Sequence, residues 1–316
     1  EIYNTAVVKN ADQLPTKRVY NVLNDHLEFE YFSESQYISN NMSIFNEIRN
    51  NDAIISSTPL EQLRTTNDTS EYLYYRYELM VDTTLSNTNL SIMFTGRTSN
   101  VYIIYVDNTY ITQVFSYQRL NGDGTAGNIT HNISIGYLST GSHILTILSG
   151  SMGTMNHVVI GGDTSYKYPT YQTCKGIPWD INLTDNNGNI LIDLYDSNNK
   201  WYQYVGLIGE KLDLNTVDWN TGSNNNINGL TYYRTYFNTP NDNIMNNDNY
   251  TILLDIGNEG MKRGYYILND INMGHYVNVK YNGLMVQQYY YIPKDYLSKS
   301  ESKNELIFFE QISHVN

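Results

Sequence analysis

"EYLYYRYELMV", Glu71 to Val81, and "GLTYYRTYFNT", Gly229 to Thr239, share the triplet Tyr-Tyr-Arg, at 74–76 and again at 232–234. Each triplet sits in an alternating aromatic run, the pattern of a strand whose successive side chains point to opposite faces. In "TYYRTYF", Tyr233, Thr235 and Phe237 share one face, and Tyr232, Arg234 and Tyr236 the other. An arginine so placed can lie over a neighbouring ring or pair with a carboxylate across strands.

The recurrence extends past the triplet. "VYIIYVDNTYITQVF" (101–115) follows the first copy and "RGYYILNDINMGHYV" (263–277) the second, each a strand, a tight polar turn and a second strand. "HILTIL" (143–148) then answers to "NELIFF" (304–309). Three features in one order at similar spacing read as two copies of one β-sandwich. Further period-2 runs, such as "NYTILLDIG" and "ELIFFEQI", are bounded by Asn-Gly, Asp-Gly, Gly-Gly and Asn-Asp turn signals. Helical signals are confined to a short segment around Ser43 to Asn50 and a single turn at Pro293 to Leu297. Many short strands with polar turns predict an all-β protein.

Composition narrows the function classes. The 316 residues suggest about two domains. With 41% hydrophobic and 16% charged residues, the chain can build cores and is too low in charge for disorder. Abundant Asn and Tyr fit an A+T-rich coding sequence. The net charge of −13, with no basic run longer than Lys17-Arg18 or Lys262-Arg263, disfavours nucleic acid and anionic membranes as partners. No apolar stretch is long enough to span a membrane. "EIYNTAVVKN" opens the chain without a charged leader and reads as the start of a processed chain. Cys174 is the only cysteine, which excludes an internal disulfide and a Cys₂His₂ zinc site; a small buried hydrophobe is its expected role. Asn-x-Ser/Thr sequons occur at Asn41, Asn67, Asn89, Asn128, Asn132, Asn182 and Asn249. They permit a secreted glycoprotein, and in so Asn-rich a chain they do not argue for one.

Catalytic signatures are absent. His26, His131, His143, His157, His275 and His314 show no zinc-hydrolase spacing, and no Gly-x-Ser-x-Gly elbow occurs. "GDGTAG" (122–127) reads as a hairpin loop. "NDNIMNNDN" (241–249) lacks EF-hand spacing and reads as a solvated loop, with a structural calcium as the alternative. No other cofactor is expected. Sugar binding needs an aromatic platform beside hydrogen-bonding groups. Trp219, flanked by Asp218 and Asn220, is one candidate; Tyr289 and Tyr291, which alternate with Tyr290, supply the other. An exposed tyrosine row serves equally well as an interface with a neighbouring domain.

The residues also resemble a known family. "PLEQLRTTNDTSEYLYYRYEL" (59–79) is similar to the Leu-Glu-Gln and Ser-Asp-Tyr-Leu-Trp-Tyr run that follows the catalytic barrel in plant-like β-galactosidases of glycoside hydrolase family 35. "IYNTAVV" (2–8), "CKGIPWDINL" (174–183) and "QQYYYIPKDYLSKSESKNELIFFEQ" (287–311) resemble further strands of that region. The sharpest match is "KWYQYVGLIGEKLDL" (200–214), whose Trp201, Val205, Gly206, Leu207, Gly209 and Glu210 fall on Trp-x-Tyr-x-Val-Gly-Leu-x-Gly-Glu. The other motif positions are Tyr75, Arg76, Tyr233, Arg234, Gly274 and Pro293. Family tryptophans are replaced by Tyr75, Tyr232 and Tyr296, the Asn-Gly turns by Asp107-Asn108 and Asn269-Asp270, and an arginine by His275.

The resemblance implies two tandem jelly-roll, galactose-binding-domain-like sandwiches, at 71–199 and 200–316. A short N-terminal β segment, 1–70, would precede them and pack on a barrel or small β domain. The family's two catalytic glutamates, about 5 Å apart in a retaining site, lie on a barrel of about 250 residues that has no counterpart here. The expected function is therefore a non-catalytic portion of a β-galactosidase-like glycoside hydrolase. It would brace a barrel chain or domain and bind galactose-containing glycans. A secreted, lysosomal, vacuolar or cell-surface location follows from the same resemblance. The alternatives are a standalone lectin and a surface adhesion or structural protein.

Overall fold

The Tyr72–Val81 strand forms and its faces alternate, but where alternation gives one face to the core and the other to solvent, both are covered: Leu73, Tyr75, Leu79 and Val81 enter one core, while Tyr72 and Tyr74 enter another. The computed structural model describes residues 27–96, 100–116, 129–153, 175–177, 180–221, 230–256, 261–278, 280–281, 284–285, 287–299 and 302–312. Cys174, Trp179, Asn128, the 2–8 run and the 122–127 loop lie outside them. Among the described residues strands dominate and helices are short, including Met42–Ile48 and a 3-10 turn at Lys294–Tyr296 where the sequence signals stand.

Two six-stranded antiparallel sheets carry the architecture. The first runs Ile54–Ser56, Trp201–Val205, Tyr72–Val81, Gly141–Ser151, Asn100–Val106, Thr109–Ser116. The second runs Asn220–Thr221, Glu30–Ser33, Thr231–Asn238, Lys303–Glu310, Arg263–Leu268, Ile271–Val277. The two orders match position by position. Each triplet strand is third, the strand of "HILTIL" or "NELIFF" is fourth, and the predicted hairpin is fifth and sixth. The second hairpin turns at Asn269 and Asp270, whose φ values of 49° and 65° suit the type I′ turn that Asn-Gly would otherwise make.

Each large sheet is covered on its outer face by a smaller one. Ile190–Asp193, Ile181–Asp185, Leu90–Gly96 and Ile129–Gly136 cover the first, closing a core around Tyr75, Ile92, Tyr102, Ile147 and Trp201. Ile252–Asp255 and Tyr289–Ile292 cover the second, over Tyr266, Leu268, Leu306 and Phe308.

The inner faces of the large sheets meet each other in a third core, where Tyr74, Ile103, Tyr105 and Leu148 pack with Tyr232, Tyr265, Ile307 and Phe309. All seven residues of Asn100–Val106 are consequently buried. Val101, Ile103 and Tyr105 face the third core, and Tyr102, Ile104 and Val106 the first. An apolar run with no polar alternation, "VYIIYV", is what a strand covered on both faces requires.

The chain crosses over between the two sandwiches. Glu30–Ser33, from the segment before the first sandwich, pairs with Thr231–Asn238 of the second. Trp201–Val205, which the sequence reading put at the start of the second sandwich, pairs with Tyr72–Val81 of the first. Ile54–Ser56 extends that sheet from the 1–70 segment. The Leu-Glu-Gln run locks this segment down. Glu61 caps the Gln62–Thr66 helix and accepts the Lys175 amide at 2.7 Å, while buried Gln62 donates to Glu71 O at 2.6 Å.

Candidate functional site

Ile252–Asp255 and Tyr289–Ile292 form a two-stranded ribbon, with Leu253 opposite Tyr291 and Asp255 opposite Tyr289. Period-2 alternation buries Tyr290 (5%) and Ile292 (3%) and leaves Tyr289 (39%) and Tyr291 (59%) facing solvent. Gln288 donates to both Asp255 carboxylate oxygens, at 3.1 and 3.3 Å, at one end of this face. At the other end, Asp248, Tyr250, Thr251, Ile252, Tyr291 and Lys294 line a surface pocket of about 170 Å³.

Local structure explains the pocket. The segment read as a solvated loop folds into the Asp242–Met245 helix, capped by the Asn241 side chain on the Ile244 amide. Lys294, in the turn that Pro293 opens, donates to Ile244 O at 2.8 Å and Asn247 O at 2.7 Å. These two bonds pin the helix end beside the ribbon and bring Asp248, Tyr250 and Thr251 up to Tyr291. The result is a ring face, a carboxylate acceptor and a hydroxyl around one concavity. A pyranose can stack its C–H face on such a ring while its hydroxyls donate to the carboxylate.

The other sequence candidates stand elsewhere. Trp219 lies at the margin of the core between the sandwiches, on the opposite side of the second large sheet from the ribbon. Its indole donates to Leu214 O at 2.9 Å, the Arg234 guanidinium covers its ring at 4.3 Å, and Phe32 packs at 6.2 Å. Asp218 and Asn220 beside it are exposed, and Asn220 belongs to the sheet. Trp219 and the Tyr289–Tyr291 face are therefore two separate surfaces.

The motif residues stand at structural joints. Trp201 is buried and donates to Leu194 O at 2.8 Å; the Tyr75 hydroxyl donates to Leu60 O at 2.8 Å. Arg76 is buried over the Phe45 ring at 4.1 Å and donates to Thr146 Oγ1 and Ser39 O. Its counterpart Arg234 pairs with Glu30 at 2.6 Å and lies near Glu305. Gly206 has a φ of 82° and donates to Tyr72 O, and Glu210 accepts from Ser70 and the Leu207 amide. Tyr233 packs beneath the ribbon, and Gly274 takes a φ of 96° beside a bulge in its strand. His275, at the position where the family resemblance implies arginine, meets Glu71 of the first sandwich at 3.0 Å.

One cluster brings an aspartate, a histidine and a serine together. His143 Nδ1 lies 3.0 Å from Asp107 Oδ2, and Nε2 lies 2.9 Å from Ser139 O and 3.4 Å from Ser139 Oγ. The Asp107 carboxylate only accepts, so it favours a proton on Nδ1, while Nε2 faces both the Ser139 carbonyl and, at longer range, its hydroxyl. Burial pulls the imidazole pKa down, but the bonds to Asp107 and Ser139 outweigh it and hold it above the ordinary value. Among the described residues no three His, Cys, Asp or Glu side chains gather as metal ligands. No helix among them is long and apolar enough to cross a membrane.

The sequons sort by exposure. Asn182 is 8% exposed and sits in an inner strand of a sheet, out of reach of a glycan. Asn41 and Asn67 cap helices, Asn132 is exposed on a strand, and Asn89 precedes one. Asn249 is exposed in the turn that carries Asp248 and Tyr250.

Sequence alternation predicts that Tyr289 and Tyr291 share a face apart from Tyr290, and the structure exposes the pair. Sequence reasoning missed Asp248, Tyr250, Thr251 and Lys294, because nothing local pairs 252–255 with 289–292.

Residues 230–304, which hold the ribbon and the pocket, match the family described as Beta-galactosidase, galactose-binding domain. Beta-galactosidase 7 of Oryza sativa subsp. japonica is 26% identical over 295 residues, covering 87% of this chain and 34% of that protein. The chain thus spans about a third of its relative's length. It resembles the post-barrel region of β-galactosidases, and its fold is built of β-sandwiches. Among solved structures, a GH2 β-galacturonidase from Eisenbergiella tayi bound to galacturonate aligns at a TM-score of 0.22 and 11% identity, over 79% of this chain and 31% of that one. A β-glucuronidase from glycoside hydrolase family 2 aligns at 0.26 and 11%, over 90% and 26%. Superpositions that loose carry no argument.

Proposed function

We propose that this chain is the non-catalytic β-sandwich portion of a β-galactosidase-like protein of glycoside hydrolase family 35. It braces a catalytic barrel and holds galactosides at the Tyr291 pocket. The observation that carries the reading is the exposed Tyr289–Tyr291 face with its polar pocket, inside the interval that matches the galactose-binding domain family. The Trp201-to-Glu210 motif supports the family 35 assignment. The non-catalytic role is supported by the carboxylates. A retaining glycosidase needs two about 5 Å apart, and among the residues that line the pocket Asp248 is the one carboxylate. A secreted, vacuolar or lysosomal setting fits this reading.

Titration of the chain with galactose and lactose, followed by NMR, tests it. Binding that disappears in Tyr291→Ala supports the reading, and no binding by the unglycosylated parent chain removes the galactoside part. Native mass spectrometry of the protein from its source tests the barrel. A co-migrating chain or a single longer polypeptide, with β-galactosidase activity, is expected. A lone species of 36.5 kDa, or its multiples, favours the standalone lectin or adhesion reading.

A further inference from the structure

We propose that Asn249 is a glycan acceptor and that its glycan covers the Tyr291 pocket, so that N-glycosylation switches off ligand binding there. The inference rests on the pocket reading above. The sequon is Asn249-Tyr250-Thr251, and two of its three residues, Tyr250 and Thr251, line the pocket beside Asp248. Asn249 is exposed, and its backbone amide donates to the Asn247 side chain at 3.0 Å, within a turn where the Tyr250 amide donates to Asn247 O at 3.1 Å. An ordered turn thus holds Asn249 between Asp248 and Tyr250, two residues that line the pocket.

The first sugar of a glycan attached at Asn249 would stand beside two exposed rings, Tyr250 and Tyr291, whose faces suit the C–H surface of a pyranose. A tethered sugar competes at high effective concentration with any free one. The other described sequons lack this position: Asn182 is buried, and none of Asn41, Asn67, Asn89 and Asn132 neighbours a pocket-lining residue in sequence. The modification needs passage through a secretory pathway, which the proposed localisation provides.

The test uses the full chain made three ways: secreted from a eukaryotic host, secreted as Asn249→Gln, and made unglycosylated in bacteria. Asn249→Gln removes the acceptor nitrogen and leaves every pocket-lining residue in place. Glycopeptide mass spectrometry reads occupancy, and lactose titration reads binding. The expected result is an occupied Asn249 and lactose binding about tenfold or more weaker than in the other two proteins, the loss of roughly one ring contact. An unoccupied Asn249 in secreted protein, or equal lactose affinity in occupied and Asn249→Gln proteins, overturns the inference alone. No lactose binding by the bacterial and Asn249→Gln proteins overturns the pocket reading and the inference with it.

Discussion

The Tyr74 hydroxyl donates to Glu34 Oε2 at 2.8 Å in the core between the two sandwiches. Glu34 Oε1 accepts the Gly209 amide at 2.7 Å, and the Glu34 amide donates to Leu230 O at 2.9 Å. One fully buried carboxyl thereby joins the N-terminal segment, the first large sheet and the link to the second sandwich.

Burial raises the Glu34 pKa to about 7, against the bonds from Gly209 and Tyr74 that lower it. Glu310, buried and accepting the Lys262, Arg263 and Ile312 amides, is likewise raised to about 7 by burial. A carboxyl whose pKa is raised on folding keeps its proton in the folded state while the unfolded chain loses it. Stability therefore falls as pH rises from about 4.5 towards about 7. The upper limit is about 3 kcal/mol per group. The melting temperature should rise on acidification from pH 7.5 to 5.5. Glu34→Gln should flatten that slope and be no less stable than the parent at pH 7.5. A melting temperature independent of pH in both proteins would contradict this.

The third core makes the sandwiches one folding unit. Separating them would expose Tyr74, Ile103, Tyr105, Tyr232 and Phe309, and would unpair Glu30–Ser33 from Thr231–Asn238. Calorimetry and tyrosine fluorescence should report a single coincident transition. Two resolved transitions would show that the sandwiches unfold independently.

Much of this was legible in the sequence, and the reasons for the rest are physical. Which residues share a face in Tyr72–Val81, Thr231–Asn238 and Tyr289–Ile292 follows from alternation, but the covering of both faces of the two triplet strands does not. Arg234 meets both a ring and a carboxylate, as its setting predicted. Alternation does not name a strand's partner, however, so the crossing of Glu30–Ser33 and Trp201–Val205 between sandwiches was hidden. Glu34 gave no signal either, because a glutamate among serines reads as surface.

The two triplet arginines should differ in cost. Arg76 is fully buried, and burial lowers its pKa to about 10. Removing it leaves a cavity over Phe45 and strips the donor from Ser39 O. Arg234 is partly exposed between Trp219 and Glu30. Urea unfolding should give about 3 kcal/mol lost for Arg76→Ala. Arg234→Ala should lose about 1 kcal/mol. Equal losses would mean that the Arg76 site is solvated.

Gly209 is required for a close approach. A Cβ there would stand 2.4 Å from the Tyr232 ring, and its amide must still reach Glu34. Gly209→Ala should cost about 2 kcal/mol by overpacking. Gly153→Ala, where a Cβ meets open space at a φ of 94°, should cost only about 1 kcal/mol from backbone strain. Thermal denaturation of both proteins gives the comparison, and a Gly209→Ala protein as stable as the parent would show that Tyr232 moves aside.

Trp219 and Tyr291 should separate into opposite classes. Trp219 supports Arg234, touches Phe32 and bonds to Leu214 O, so Trp219→Ala should lower stability by about 2 to 3 kcal/mol and leave lactose binding intact. Tyr291 stands in solvent opposite Leu253, so Tyr291→Ala should leave the unfolding midpoint almost unchanged and remove lactose binding. Each ring is thus tested by a readout that the other does not move. If Trp219→Ala removed binding without loss of stability, the sugar site would belong at the sandwich margin, and the ribbon tyrosines would be free to serve as a contact for a neighbouring domain.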